Sequence, residues 1–144
     1  MKNKPIQYKV PDEQLLPRLL QEPEVAYTAG TLSFSTAAFI QLSRQLGFSQ
    51  AEWGIILNIS DRTIQRSLKD DKSFTGLQAE LLHYLKKLTE TGLQLFENEA
   101  SFVAWLRTPK NVLGQPLGFE SLQSITGIRL LQQELGRIAY GVYI

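Results

Sequence analysis

Four side chains in one short stretch have the types and spacing to read nucleic acid: Arg62, Gln65, Arg66 and Lys69, at i, i+3, i+4 and i+7 of DRTIQRSLK. On an α-helix that spacing sets them on one face, with Ile64 and Leu68 on the other. A guanidinium can hold guanine bidentately, a glutamine amide can hold adenine, and Arg or Lys can neutralise a phosphate. The face therefore has the chemistry of a major-groove reader. Thr63, Ser49 and Gln50 complete the expected DNA-binding set. A solvated stripe on an ordinary helical bundle has the same composition, and Asp61, Asp70 and Asp71 partly offset the cations.

Those side chains need two short helices meeting at a tight turn, and residues 49–69, SQAEWGIILNISDRTIQRSLK, predict them. Ser49 and Glu52 form the S-x-x-E pattern of a capping box, and Trp53, Ile56 and Leu57 follow on one face. After Asn58-Ile59, Ser60 is suited to cap the second helix and Asp61 to face its dipole. The short turn requires a steep crossing, the pattern of a helix-turn-helix. A supporting helix should precede it, capped by Ser35 or Thr36, with Phe39, Leu42 and Leu46 inside and Gly47 as terminator.

Downstream, Thr75 is placed to cap a longer helix with Leu77, Leu81, Tyr84, Leu85, Leu88 and Leu95 as its inner face. Gly92 should mark a break in it or a close helix contact. Residues 99–106 predict a short helix with Phe102, Trp105 and Leu106 on one side, ended by Thr108-Pro109. Pro116 suits the first turn of a further helix reaching about residue 125. Gly127 should divide that helix from a last one carrying Ile128, Leu131, Leu135 and Ile138. The expected fold is all-α, with about seven helices and no convincing strand. Its expected divisions are an N-terminal arm at 1–33, a helix-turn-helix unit at 34–73, a connecting helix at 74–98 and a C-terminal helical unit at 99–144. Prolines at 5, 11, 17 and 23 restrict the arm to at most a short helix over 12–21, which suits either a strapped-down arm or an uninformative leader.

With 144 residues and a net charge of +1, the chain is no general polyanion binder, so any DNA contact must be a local patch. The absence of cysteine excludes disulfides and thiolate metal sites. The single histidine, His83, beside a run of leucines suits packing better than catalysis. With no metal-spaced cluster and no phosphate-cradling glycine loop either, the chain reads as a non-enzyme without cofactor or metal. No apolar run has the length of a membrane span, and the N-terminus lacks a signal-peptide core, so the cytoplasm is the expected compartment.

The C-terminal region FENEASFVAWLRTPKNVLGQPLGFESLQSITGIRLLQQELGRIAYGVYI resembles the toxin-binding domain of the MbcA/ParS/Xre antitoxins, partners of RES-domain toxins. Its matching features are Trp105-Leu106 with Thr108-Pro109, Leu113-Gly114 leading to Pro116-Leu117, Thr126-Gly127, and the ending Leu135-Gly136-Arg137-Ile138-Ala139-Tyr140-Gly141-Val142. The helix-turn-helix with Arg62-Thr63 and Arg66 is similar to the N-terminal domain of the same family. A single Gly114 followed by Gln115 stands where that family usually has a Gly-Gly pair, so a changed loop shape is expected. The resemblance implies an antitoxin that blocks an NAD-consuming RES-domain toxin and represses its own operon through the helix-turn-helix. Because a single small unit reads few base pairs, a homodimer, or a toxin-linked assembly, on an inverted repeat of operator DNA is expected. The resemblance further implies toxin contacts at Arg137, Tyr140, Tyr143 and Ile144, with Leu113 and Leu117 in support. The apolar C-terminus by itself suits an interface or packing on its own core equally. A helix-turn-helix regulator without a toxin would share the DNA-reading face, and a pure interaction module would lack it.

Overall fold

The computed structural model describes Tyr8 and residues 32–143. In chain order the elements are β1 (Ser33–Phe34), α1 (Thr36–Leu46), α2 (Gln50–Leu57), α3 (Asp61–Lys69), β2 (Phe74–Thr75), α4 (Gly76–Leu95), α5 (Glu99–Arg107), β3 (Lys110–Val112), β4 (Gln115–Leu117), a 3₁₀ helix (Phe119–Gln123) and α6 (Ile125–Tyr143). The fold is all-α, as the periodicity predicts, with a helix-turn-helix first and a second helical unit after it. The expected helix over 12–21 lies outside the described residues.

α1 begins and ends on its predicted caps. The Ala38 N–H donates to the Ser35 hydroxyl at 3.1 Å, and Gly47, at φ +65°, returns its N–H to the Ser43 carbonyl at 2.8 Å. Phe39, Leu42 and Leu46 are buried on one face. There Phe39 meets Trp53 at 4.9 Å between ring centroids, and the Trp53 indole N–H donates to the Ser43 hydroxyl at 3.0 Å.

No strand is expected, yet two ribbons form. β1 pairs antiparallel with β2, Ser33 opposite Thr75 and Phe34 opposite Phe74, which closes the helix-turn-helix at its base. Thr75 requires a correction: it sits at the cap position of α4, paired in the ribbon, but makes no side-chain cap hydrogen bond, and the residue after it, Gly76, has a left-handed φ of +60°. His83 has a packing role, with Nε2 2.9 Å from the Ser33 carbonyl oxygen and its ring edge-on to Phe34.

α4 runs unbroken through Gly92 and buries Leu81, Leu85, Leu88 and Leu95 of the expected face, but its covered surface is wider than that face and shifted at its start. Leu77 is 68% exposed and Tyr84 only half-buried, whereas Ala79, Leu82 and Leu85 are fully enclosed. Neighbours cover this helix along two stripes, which a single-face reading cannot anticipate. Gly92 marks the close contact and not the break, because a Cβ there would overlap the ring of buried Phe102 on α5.

α5 buries Phe102, Trp105 and Leu106 as predicted. At its end the Lys110 ammonium donates to the carbonyls of Trp105 at 2.6 Å and Thr108 at 2.7 Å, and lies 4.3 Å from the centroid of the Trp105 ring. Burial lowers its pKa to about 8, against a weaker upward pull from Glu134. Pro116 starts no helix. It lies in β4, which pairs antiparallel with β3 through a two-residue turn in which Leu113 and Gly114 both have positive φ, 51° and 80°. Two left-handed residues give the type I′ geometry that matches strand twist. Gln115 opens β4 opposite Val112. Gly127 divides nothing either, because α6 already begins at Ile125 and Gly127 donates its N–H to the Ser124 hydroxyl at 2.9 Å. Ile128, Leu131 and Leu135 are buried, Ile138 half-buried, and Ala139 buried in its place.

One side chain fastens the second unit to the helix-turn-helix. Arg107, the last residue of α5, donates from its two terminal nitrogens to the Glu52 carboxylate of α2, at 2.6 and 3.0 Å. Its guanidinium carbon lies 5.2 Å from the centroids of both Phe48 and Phe119. The hydrogen bond from Arg107, with that from the Ser49 N–H, lowers the Glu52 pKa from its ordinary 4.5 to about 2.

Replacing Gly92 by Ala should lower the melting temperature. Overpacking against Phe102 at about 1–3 kcal/mol outweighs a helix-propensity gain of roughly 1 kcal/mol. A higher melting temperature would show that the ring moves aside freely. Because the Glu52 pKa is depressed on folding, its contribution is complete above pH 4.5 and is lost as pH falls towards about 2. The stability difference between the unaltered chain and Glu52→Gln, from denaturant titrations, should therefore shrink across that interval. A difference constant down to pH 2 would contradict the pairing.

Candidate functional site

The reading face depends first on the junction of α2 and α3. α2 starts with the predicted capping box: the Glu52 N–H donates to the Ser49 hydroxyl at 3.1 Å, and the Ser49 N–H to the Glu52 carboxylate at 2.9 Å. It ends at Asn58, whose φ of +54° turns the chain, and the Ile59 N–H returns to the Gly54 carbonyl at 3.1 Å. Asparagine tolerates this left-handed region better than most residues. Gly54 leaves room for the crossing, since a Cβ there would lie 3.0 Å from both the Ile59 carbonyl oxygen and the Asp61 carboxylate. α3 starts on Ser60, whose hydroxyl accepts the Thr63 N–H at 3.1 Å.

Ile64 anchors α3, 1% exposed, and Leu68 is half-buried beside it. Arg62, Thr63, Gln65, Arg66 and Lys69 are all exposed, and the face predicted from spacing stands free of the core. The Thr63 hydroxyl is 2.8 Å from that of Ser60 and so belongs partly to the cap. Gln65 donates from Nε2 to the Gln50 side-chain oxygen at 2.7 Å, which joins the first residue of α2 to the middle of α3. Ser49 is exposed at the same end, its hydroxyl accepting within the capping box.

Two of the three acidic neighbours, Asp61 and Asp71, turn their carboxylates towards other elements. A carboxylate oxygen of Asp61 lies over Gly54, and Asp71, at φ +50°, accepts a hydrogen bond from the buried Thr36 hydroxyl at the start of α1. The Asp70 N–H closes α3 onto the Arg66 and Leu68 carbonyls. These acids shape the turns that hold the helix.

The second cluster of expected site residues is only partly brought together. Leu113, at the tip of the β3–β4 turn, is 91% exposed. Leu117 requires a correction: at 5% exposure its side chain packs in the core, at the end of β4 farther from the turn, whereas Gln115 and Pro116 are exposed. Arg137 is exposed and ion-paired to Glu134 at 2.9 Å one helical turn away, and Tyr140 is 59% exposed. The backbone of α6 stays helical to Tyr143, so Arg137, Tyr140 and Tyr143 belong to the last helix. Ile144 lies outside the described residues.

Sequence reading missed Arg107, Phe48 and Phe119. Arg107 and Glu52 are 55 residues apart, and no local pattern connects them.

Among the described residues, no helix is long and apolar enough to cross a membrane. Residues 31–85 match the antitoxin Xre-like helix-turn-helix domain. Residues 91–141 match the antitoxin Xre/MbcA/ParS C-terminal toxin-binding domain. No curated protein matches the chain. The two matched regions adjoin in the family's order, cover about three quarters of the sequence, and coincide with the two helical units described above. The chain belongs to the Xre/MbcA/ParS antitoxins, with a helix-turn-helix domain followed by a toxin-binding domain.

Proposed function

We propose that this antitoxin represses its own operon through the outer face of α3 and silences an NAD-consuming RES-domain toxin through the outer end of α6 and the β3–β4 turn. It acts by binding, without catalysis of its own. The observation that carries the DNA half is the coincidence on α3 of one fully buried anchor, Ile64, with Arg62, Gln65, Arg66 and Lys69 all exposed. Two arginines and an amide on one helix face supply base contacts, and Lys69 with the Ser49–Gln50 end of α2 suits the backbone. Because a reading helix of nine residues spans few base pairs, the operator is an inverted repeat engaged by a homodimer, its half-sites about one or two helical turns apart. With operator DNA and an NAD-consuming enzyme as partners, the working compartment is the cytoplasm.

For the toxin half, support comes from exposed apolar and aromatic groups inside the matched toxin-binding region. Leu113 stands out from a turn in a left-handed conformation unusual for leucine, and Tyr140 adds apolar area with a polar tip. Arg137 supplies a charge on the same exposed helix end, where Tyr143 and Ile144 continue the chain. Leu117, being core, supports the turn from beneath.

Exchanging Arg62 and Arg66 for alanine should cost about 1–3 kcal/mol for each arginine that reads a base, and relax the preference at its position. An electrophoretic shift on a duplex from the chain's own promoter measures this, and unchanged affinity in the double variant refutes the assignment. Of residues 140–144, Tyr140 is 59% exposed and Gly141 exposed, and Ala139 is the last buried position among the described side chains of α6. A chain lacking residues 140–144 should fold and bind its operator, yet allow NAD loss when coexpressed with the toxin encoded beside it. Continued protection would move the contact elsewhere in the domain, and failure to fold would make these residues core.

A further inference from the structure

We propose that Arg107 is a positioning residue for DNA reading, by which the toxin-binding half sets the first turn of α2 and, through it, the Gln50–Gln65 pair on the reading face. The proposal rests on the operator reading above. The Glu52 carboxylate serves two structures at once. It closes the capping box by accepting the Ser49 N–H at 2.9 Å, and it receives the two-pronged donation from Arg107 at 2.6 and 3.0 Å. A planar guanidinium held on both carboxylate oxygens fixes orientation as well as charge. The Arg107 side chain is further constrained by Phe48 from one unit and Phe119 from the other, each ring centroid 5.2 Å from the guanidinium carbon.

This geometry bears on DNA reading because of what lies next to it. Gln50 is the first residue of α2, inside the turn that Ser49 and Glu52 close, and its side-chain oxygen accepts from Gln65 at 2.7 Å. Displacing that turn moves the acceptor that orients Gln65. α2 has only eight residues, too few to hold its end by helix propensity alone. An ordinary exposed ion pair contributes little, as two long side chains must be ordered for a screened attraction. Here the rings and the capping box already impose that order.

Fluorescence anisotropy on a duplex from the chain's own promoter tests the proposal with the full chain, comparing Arg107→Ala, Glu52→Gln, the double variant and Arg107→Lys. The alanine variant should bind roughly three- to tenfold more weakly. Its salt dependence should match that of the unaltered chain, because no phosphate contact is lost. Glu52→Gln should show a similar loss, since glutamine keeps the capping box but not the ionic partner. The double variant should be no weaker than the weaker single one, as two changes along one route are not additive. Arg107→Lys, with the charge but not the fork, should recover only part of the loss. Thermal melting confirms that each chain is folded at the assay temperature; should Arg107→Ala be unfolded there, Glu52→Gln and Arg107→Lys decide the matter. Unchanged affinity in the folded variants, additive losses, or a salt slope lowered by about one contact would each overturn it, the last by making Arg107 a direct phosphate ligand. If the unaltered chain fails to bind the duplex at all, the operator reading falls and takes this assignment with it; if it binds in an Arg62- and Arg66-dependent manner, the outcome bears on Arg107 alone.

Discussion

Burial of α4 on two sides is the constraint from which the remaining packing follows. Along that helix Ala79, Leu82, Leu85, Leu88 and Leu95 are enclosed, and Gly92 admits the Phe102 ring at closest approach. A helix with so wide an apolar surface cannot stand between two independent bodies with solvent around it, and each buried leucine favours covering it by about 1.5–3 kcal/mol. The supporting helix α1 and the β1–β2 ribbon contact one part of it, α5 and α6 others, and the buried residues form one continuous core. The two domains of this antitoxin thus share a core helix.

A shared core allows α3 to be poor in apolar residues. Its nine residues bury only Ile64 fully, and a helix so short and polar would be marginal in isolation. It is held instead by its ends and by the neighbouring helix: the Ser60 cap, the close crossing at Gly54, and the Asp71 bond to Thr36. Its outer side chains are consequently free of structural duty, apart from Thr63 in the cap and Gln65 on Gln50. Stability at the ends and freedom on the outer face are the combination a reading helix requires.

The toxin-binding half follows the same division. Trp105, Phe102 and Leu106 face inward, Lys110 closes α5 through two carbonyls and an aromatic ring, and Leu117 tucks beneath the turn. Leu113 and Tyr140 are left outside. A leucine at positive φ, 91% exposed, gains nothing from burial and bears conformational strain, which singles out the turn as a place where something other than folding selects the residue.

What the sequence by itself determined is whatever depends on residues within about one helical turn of each other. The caps at Ser35, Ser49 and Ser60, the terminator Gly47, the inward Ile64 and the outward Arg62, Gln65, Arg66 and Lys69 all rest on i, i+3 and i+4 relations, and the structure reproduces each one. The family, too, was legible in short motifs. Tertiary structure alone decided matters that depend on distant partners. It settled that Leu82 and not Leu77 is buried on α4, that 33–34 pairs with 74–75, and that Leu117 turns inward while Leu113 does not. The β3–β4 turn was hard to read because Leu-Gly lacks the Asn-Gly or Asp-Gly signal of its geometry. Glu52 was legible only as the capping-box partner of Ser49, and Arg107 carried no signal at all. The close approach of α5 to the first turn of α2 made them a pair, since nothing local specifies an interaction across 55 residues.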